Sequence, residues 1–144
     1  MVGVPAPARI MDDLERPPRI LVIDDDEACA RLLEVAFRRT RAEVVRQSRS
    51  FGALSRVAEV QPVAVILDVT MPGLDGPSIV ELLRADPELS GTRVILWSAL
   101  PREDLERRAA ECGADAFYEK VASASAFVTQ VASWLAQWDG VDLG

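Results

Sequence analysis

Three short runs of apolar residues stand out along the chain: Ile20-Leu21-Val22-Ile23, Val63-Ala64-Val65-Ile66-Leu67 and Val94-Ile95-Leu96-Trp97. Each is too short for a helix, is bounded by polar or turn residues and does not alternate, so each is predicted as a strand buried on both faces. Between them apolar residues recur at helical spacing: Ala30, Leu33 and Phe37 after the first run, Leu54, Val57 and Ala58 before the second, and Ile79, Leu82 and Leu83 after it. Two weaker strands around 42–46 and 116–119, with helices over about 101–111 and 125–138, complete five βα units. Ser50 is placed to cap the helix that follows it, Pro77 and Pro101 suit first helical turns, and Gly113 suits a helix C-terminus. Apolar strands alternating with helices imply an α/β fold, a doubly wound five-stranded parallel sheet with helices on both faces. Such sheets bind ligands just beyond the carboxyl ends of their strands.

The 144 residues fit a single domain, expected over 19–138. Pro5, Pro7, Pro17 and Pro18 interrupt the first 18 residues, which are expected to form a poorly ordered tail, and 139–144 a short C-terminal tail. No apolar run approaches the roughly 20 residues of a membrane span, and the N-terminus lacks the order of a signal peptide, so a cytoplasmic protein is expected. Cys29 and Cys112 have no metal-like spacing and read as small core residues. Histidine is absent, which removes imidazole bases, imidazole metal ligands and phosphohistidine from this chain's chemistry. A net charge of −7, with arginines interspersed among acids, argues against a nucleic-acid partner.

Chemistry must then rest on what stands at the strand ends. After the first strand come Asp24, Asp25, Asp26 and Glu27. Asp26 or Glu27 can serve the positive end of the next helix, but two adjacent carboxylates at Asp24 and Asp25 repel one another unless a cation sits between them, and hard oxygen donors suit magnesium. The third strand ends in Asp68, the fourth in Ser98-Ala99 and the fifth in Lys120. Alone, Asp68 reads as a turn or capping aspartate and Ser98 as an ordinary loop serine. Lys120 carries more weight, because every other basic residue is arginine. A compact ammonium on a flexible stem suits a single phosphoryl oxygen, where arginine presents a wide fork.

In order and spacing these motifs resemble the receiver domains of bacterial two-component response regulators. The matching segments are Ile20-Leu21-Val22-Ile23-Asp24-Asp25, Val65-Ile66-Leu67-Asp68 with Met71-Pro72-Gly73-Leu74-Asp75-Gly76, Ser98-Ala99, and Gly113-Ala114-Asp115-Ala116-Phe117-Tyr118-Glu119-Lys120. The resemblance covers 19–138 and implies a flavodoxin-like receiver topology. It further implies that Asp68 is the phosphoacceptor, that Asp25 and Asp68 ligate Mg2+ directly, that Asp24 acts through a metal-bound water, and that the Thr70 carbonyl completes the protein's share of the shell. Ser98 and Lys120 would bind phosphoryl oxygens, with Ser98 and Phe117 as switch residues. The phosphodonor would be a sensor histidine kinase or histidine phosphotransfer protein.

With no output module after Trp138, signalling is expected through a downstream protein target or a homodimer built on the last two helices. Trp134 and Trp138 are open to either a core or a partner-facing role. The family's usual proline after the lysine is Val121 here, so a trans bond is expected between them. Two rivals remain at this point. One is an aspartate-nucleophile phosphatase of the haloacid-dehalogenase type, faintly matched by Asp68-Val69-Thr70. The other is a receiver-like binding module that is never phosphorylated.

Overall fold

A computed structural model of the chain describes residues 16–71, 75–121 and 123–144. The tail expected over 1–18 therefore falls, as far as residue 15, outside the described residues, as do Pro72, Gly73 and Leu74. Strands β1 (Arg19–Ile23), β2 (Glu43–Gln47), β3 (Ala64–Asp68), β4 (Val94–Ser98) and β5 (Ala116–Glu119) alternate with helices α1 (Glu27–Phe37), α2 (Ala53–Val60), α3 (Gly76–Ala85), α4 (Arg102–Cys112) and α5 (Ala124–Asp139). All strand pairs are parallel, in the order β2-β1-β3-β4-β5. This is the doubly wound sheet expected from the apolar runs. The order reverses between β1 and β3, so the chain leaves these strands toward opposite sides of the sheet and a crevice opens at their carboxyl ends.

Every residue of β3 and β4 is buried, which is why their sequences show no alternation. The period survives in the packing. Leu21, Ile23, Val65, Leu67 and Leu96 join α2, α3 and α4 on one face through Val57, Leu83 and Leu105. Ile20, Val22, Ile66 and Ile95 join α1 and α5 on the other through Leu33, Phe37, Phe127 and Leu135. Phe37 and Phe127 are fully buried there. Truncating either to alanine is a loss of about 3–5 kcal/mol on general grounds.

Two local readings need correction. The N-cap position of α2 is Gly52, in the left-handed region at φ 78°, and Ser50 stands two residues before it, its backbone carbonyl accepting the Ala53 N–H. A glycine reaches that conformation without a Cβ penalty, and the turn uses it. The segment after α5, expected as a short tail, folds back on the domain. The Leu143 carbonyl accepts the Arg41 N–H at 2.8 Å, the Asp142 carbonyl accepts the Arg41 guanidinium at 2.7 Å, and Leu143 is buried in the second cluster.

Candidate functional site

The carboxyl end of β1 is anchored before its chemistry begins. Asp24 donates its N–H to the Gln47 carbonyl at 3.1 Å, and its side chain, 1% exposed, accepts the Asp26 N–H at 2.9 Å. Asp26 in turn caps α1, accepting the N–H groups of Ala28 and Cys29. Bonds from Cys29, first its backbone and then its thiol, hold the Asp26 carboxyl below the ordinary aspartate range. Asp26 is thus committed to the helix, and Asp24 and Asp25 are left to face the crevice.

Across the crevice Asp68 ends β3, 4% exposed, and accepts the Thr70 N–H at 3.3 Å. Asp24, Asp25 and Asp68 each bring an oxygen within 4.8 Å of the others. Lys120 reaches in from the end of β5, where its N–H is held by the Ser98 carbonyl at 2.8 Å. Its Nζ lies 2.9 Å from Asp24 Oδ2 and 3.6 Å from Asp68 Oδ2. The shorter of the two contacts is with Asp24, whose side chain is fully buried. The bond from Lys120 to Val121 is trans, and the lysine points into the site.

One ammonium does not balance this cluster. Burial, followed by the nearby charge of Asp24, raises the Asp68 pKa to about 6, against the opposing pull of Lys120 and the Thr70 N–H. Burial works against the Lys120 charge too, but its hydrogen bond to Asp24 and the two carboxylates outweigh that and hold its pKa above the usual lysine range. Hard oxygen donors that crowd one another and lack cationic compensation fit a hard divalent cation.

Ser98, 1% exposed, ends the neighbouring strand one residue beyond the partner of Asp68, and its Oγ accepts the Leu100 N–H at 3.1 Å. Phe117 pairs in register with Leu96, and its half-buried ring packs on the first core cluster beneath the Arg102 guanidinium. Gly76 was not singled out from sequence, yet the site depends on it. A Cβ there would stand 2.6 Å from the Asp68 carbonyl oxygen and 3.0 Å from Val69 Cα, so any side chain would push α3 off the end of β3. The available signal was a glycine directly after Asp75, whose carboxylate caps the helix at Ser78.

The family model for the response regulator receiver domain matches residues 20–132. The chain belongs to this family. The receiver is 37% identical over 102 residues to response regulator PleD of Caulobacter vibrioides, covering 71% of this chain and 22% of that protein. It is 36% identical over 110 residues to transcriptional regulatory protein PrrA of Mycobacterium tuberculosis, covering 76% and 46%. The receiver thus spans less than half the length of these relatives. Among solved structures it resembles the signal receiver domain of a signal transduction histidine kinase from Syntrophus aciditrophicus, with a TM-score of 0.75, 26% identity and coverage of 87% and 95%. Among the described residues, no helix of the receiver is long and apolar enough to cross a membrane.

Proposed function

We propose that this receiver accepts a phosphoryl group on Asp68 from the phosphohistidine of a sensor histidine kinase or histidine phosphotransfer protein, in a magnesium-dependent reaction, and signals through protein contacts. The observation that carries this reading is the convergence of Asp24, Asp25 and Asp68 with Lys120 at the ends of three strands. Asp25 and Asp68 would hold the ion directly, with Asp24 behind a water and the Thr70 carbonyl beside them. When bound, Mg2+ supplies neutralisation and alignment of the phosphoryl oxygens.

The protein's own residues do the rest. An Asp68 carboxylate oxygen forms the bond to phosphorus as the phosphorus–nitrogen bond of the donor breaks, and the imidazole leaves with the electron pair. Asp68 must be ionised to attack, so its raised pKa is a cost that bound cations lift. Lys120 lies between the two carboxylates, near enough to Asp68 for its ammonium to turn from Asp24 to a phosphoryl oxygen, and Ser98 would turn its hydroxyl from the Leu100 N–H to another. Phe117 would then follow Ser98, altering the surface of α4, β5 and α5, where Phe117, Tyr118, Gln130 and Trp134 line a groove. Trp134 and Trp138 stack at 5.7 Å and pack against the second core cluster, and Trp134 also lines this groove. A downstream protein or a second copy of the receiver would dock here, with signalling in the cytoplasm.

Incubation with acetyl phosphate and Mg2+, followed by intact mass measurement, tests the proposal. One added phosphoryl group is expected, absent with a chelator and absent in Asp68→Asn. Absence of any uptake would favour a binding module, and turnover of phosphate esters would favour a phosphatase.

A further inference from the structure

Arg102 stands where its own helix gains nothing from its charge. As the first residue of α4 it lies at the positive end of the helix dipole, where Glu103 and Asp104 are suited and a cation is not. Among the described residues it makes no ion pair or hydrogen bond. Its guanidinium instead sits 5.6 Å from the centroid of the Phe117 ring. Arg93, over Trp138 at 5.2 Å, differs in being fixed by ion pairs to Asp115 and Asp139. Among the described residues, the Phe117 ring is therefore what the Arg102 guanidinium rests on.

We propose that Arg102 is a positioning residue that latches Phe117 in its groove-lining place in the unphosphorylated receiver. The proposal rests on the switch role given to Phe117 above and adds the restraint that the switch must overcome. Phe117 packs inward on the first core cluster and outward beneath the guanidinium, so the ring is gripped from both sides. The latch is also connected to the site. Ala99, Leu100 and Pro101 are all that separates Ser98 from Arg102, and the Leu100 N–H is bonded to Ser98 Oγ. When that hydroxyl turns toward a phosphoryl oxygen the bond is given up, and the loop leading into Arg102 at the start of α4 is free to draw it away from the ring. A cation over an exposed aromatic face shifts such an equilibrium by about two- to five-fold. The unlatched receiver is the conformation competent for phosphoryl uptake, so its larger population speeds labelling by up to the same factor.

The test places 4-fluorophenylalanine at position 117 of the full chain and follows its fluorine resonance together with the rate of phosphoryl uptake from acetyl phosphate and Mg2+. In the unphosphorylated protein, Arg102→Gln should move the resonance toward the position it takes after phosphorylation, and should speed labelling of Asp68 by about two- to five-fold. Arg102→Lys keeps the cation and should stay near the wild-type resonance. A labelled wild type with an Arg102→Gln resonance and labelling rate both unchanged would overturn the latch alone. A wild type that takes up no phosphoryl group would overturn the phosphoacceptor reading and the regulatory role of the latch with it.

Discussion

The two ends of the sheet both gather charged residues from several elements, and they treat charge in opposite ways. At the amino end, Asp115 accepts Arg84 at 2.9 Å, Arg93 at 3.0 Å and the Val94 N–H at 2.7 Å. Arg93 continues to Asp139 with two bonds of 3.0 Å, and Arg84 donates to the carbonyls of Gly113, Ser90 and Thr92. Two guanidiniums meet two carboxylates, and the remaining donors find backbone oxygen. At the carboxyl end, three carboxylates share one ammonium, and the deficit shows in the raised pKa of Asp68. Both arrangements are partly buried, so burial alone does not mark function. Incomplete compensation does: the amino end is satisfied by the chain itself, while the carboxyl end is left short of positive charge, which the proposed cation would supply.

Substitutions at the two ends should separate these roles. The largest effect is expected at Asp68, where Asn removes the nucleophile and phosphoryl uptake should vanish by intact mass. Next, Asp25→Ala removes one of few protein oxygens from the ion, and Mg2+ affinity measured by calorimetry should fall at least about tenfold. Unchanged affinity would break the comparison, since the carboxyl end would then not be a cation site.

Stability should respond with opposite signs. Asp115→Ala leaves two guanidiniums and the Val94 N–H without their acceptor, and urea unfolding should show a loss of about 2–3 kcal/mol, moderated by partial solvent exposure of the network. In metal-free protein Asp68→Asn should instead stabilise, by about 1–3 kcal/mol at pH 7.5. The sign follows from a folded pKa of about 6 lying above the 3.8 of an ordinary aspartate: the protonated form favours folding below the unfolded value, and this advantage is lost as pH rises through about 6. The gain from Asn should therefore shrink toward zero near pH 4, and a gain independent of pH would count against electrostatic strain at Asp68. The smallest effect tests whether the amino end is wholly relaxed. Gln61 ends α2 at φ 51°, a left-handed conformation costly for a residue with a Cβ, so Gln61→Gly should raise the stability by about 0.5–1 kcal/mol.

Much of this was legible in the chain as written. Continuous apolar runs bounded by polar residues can satisfy their backbone and bury their side chains only as interior strands, so β1, β3 and β4 and their parallel order of connection follow from composition and spacing. Acidic residues at the ends of two of them, and a solitary lysine at the end of another, could then be assigned to one rim. Other features were settled by contacts between residues far apart in sequence, which no local pattern encodes. Lys120 faces Asp24 across 96 positions, Arg102 covers Phe117 from another element, and Leu143 is buried in the second core cluster with its carbonyl bonded to the Arg41 N–H. Gly76 belongs with these: its lack of a side chain matters only because α3 comes to rest against the end of β3, where a Cβ would collide with the Asp68 backbone. Local sequence decides which element a residue joins through backbone preference and side-chain burial, whereas the partner it meets depends on how the sheet and helices close around one another, and that is decided only by packing.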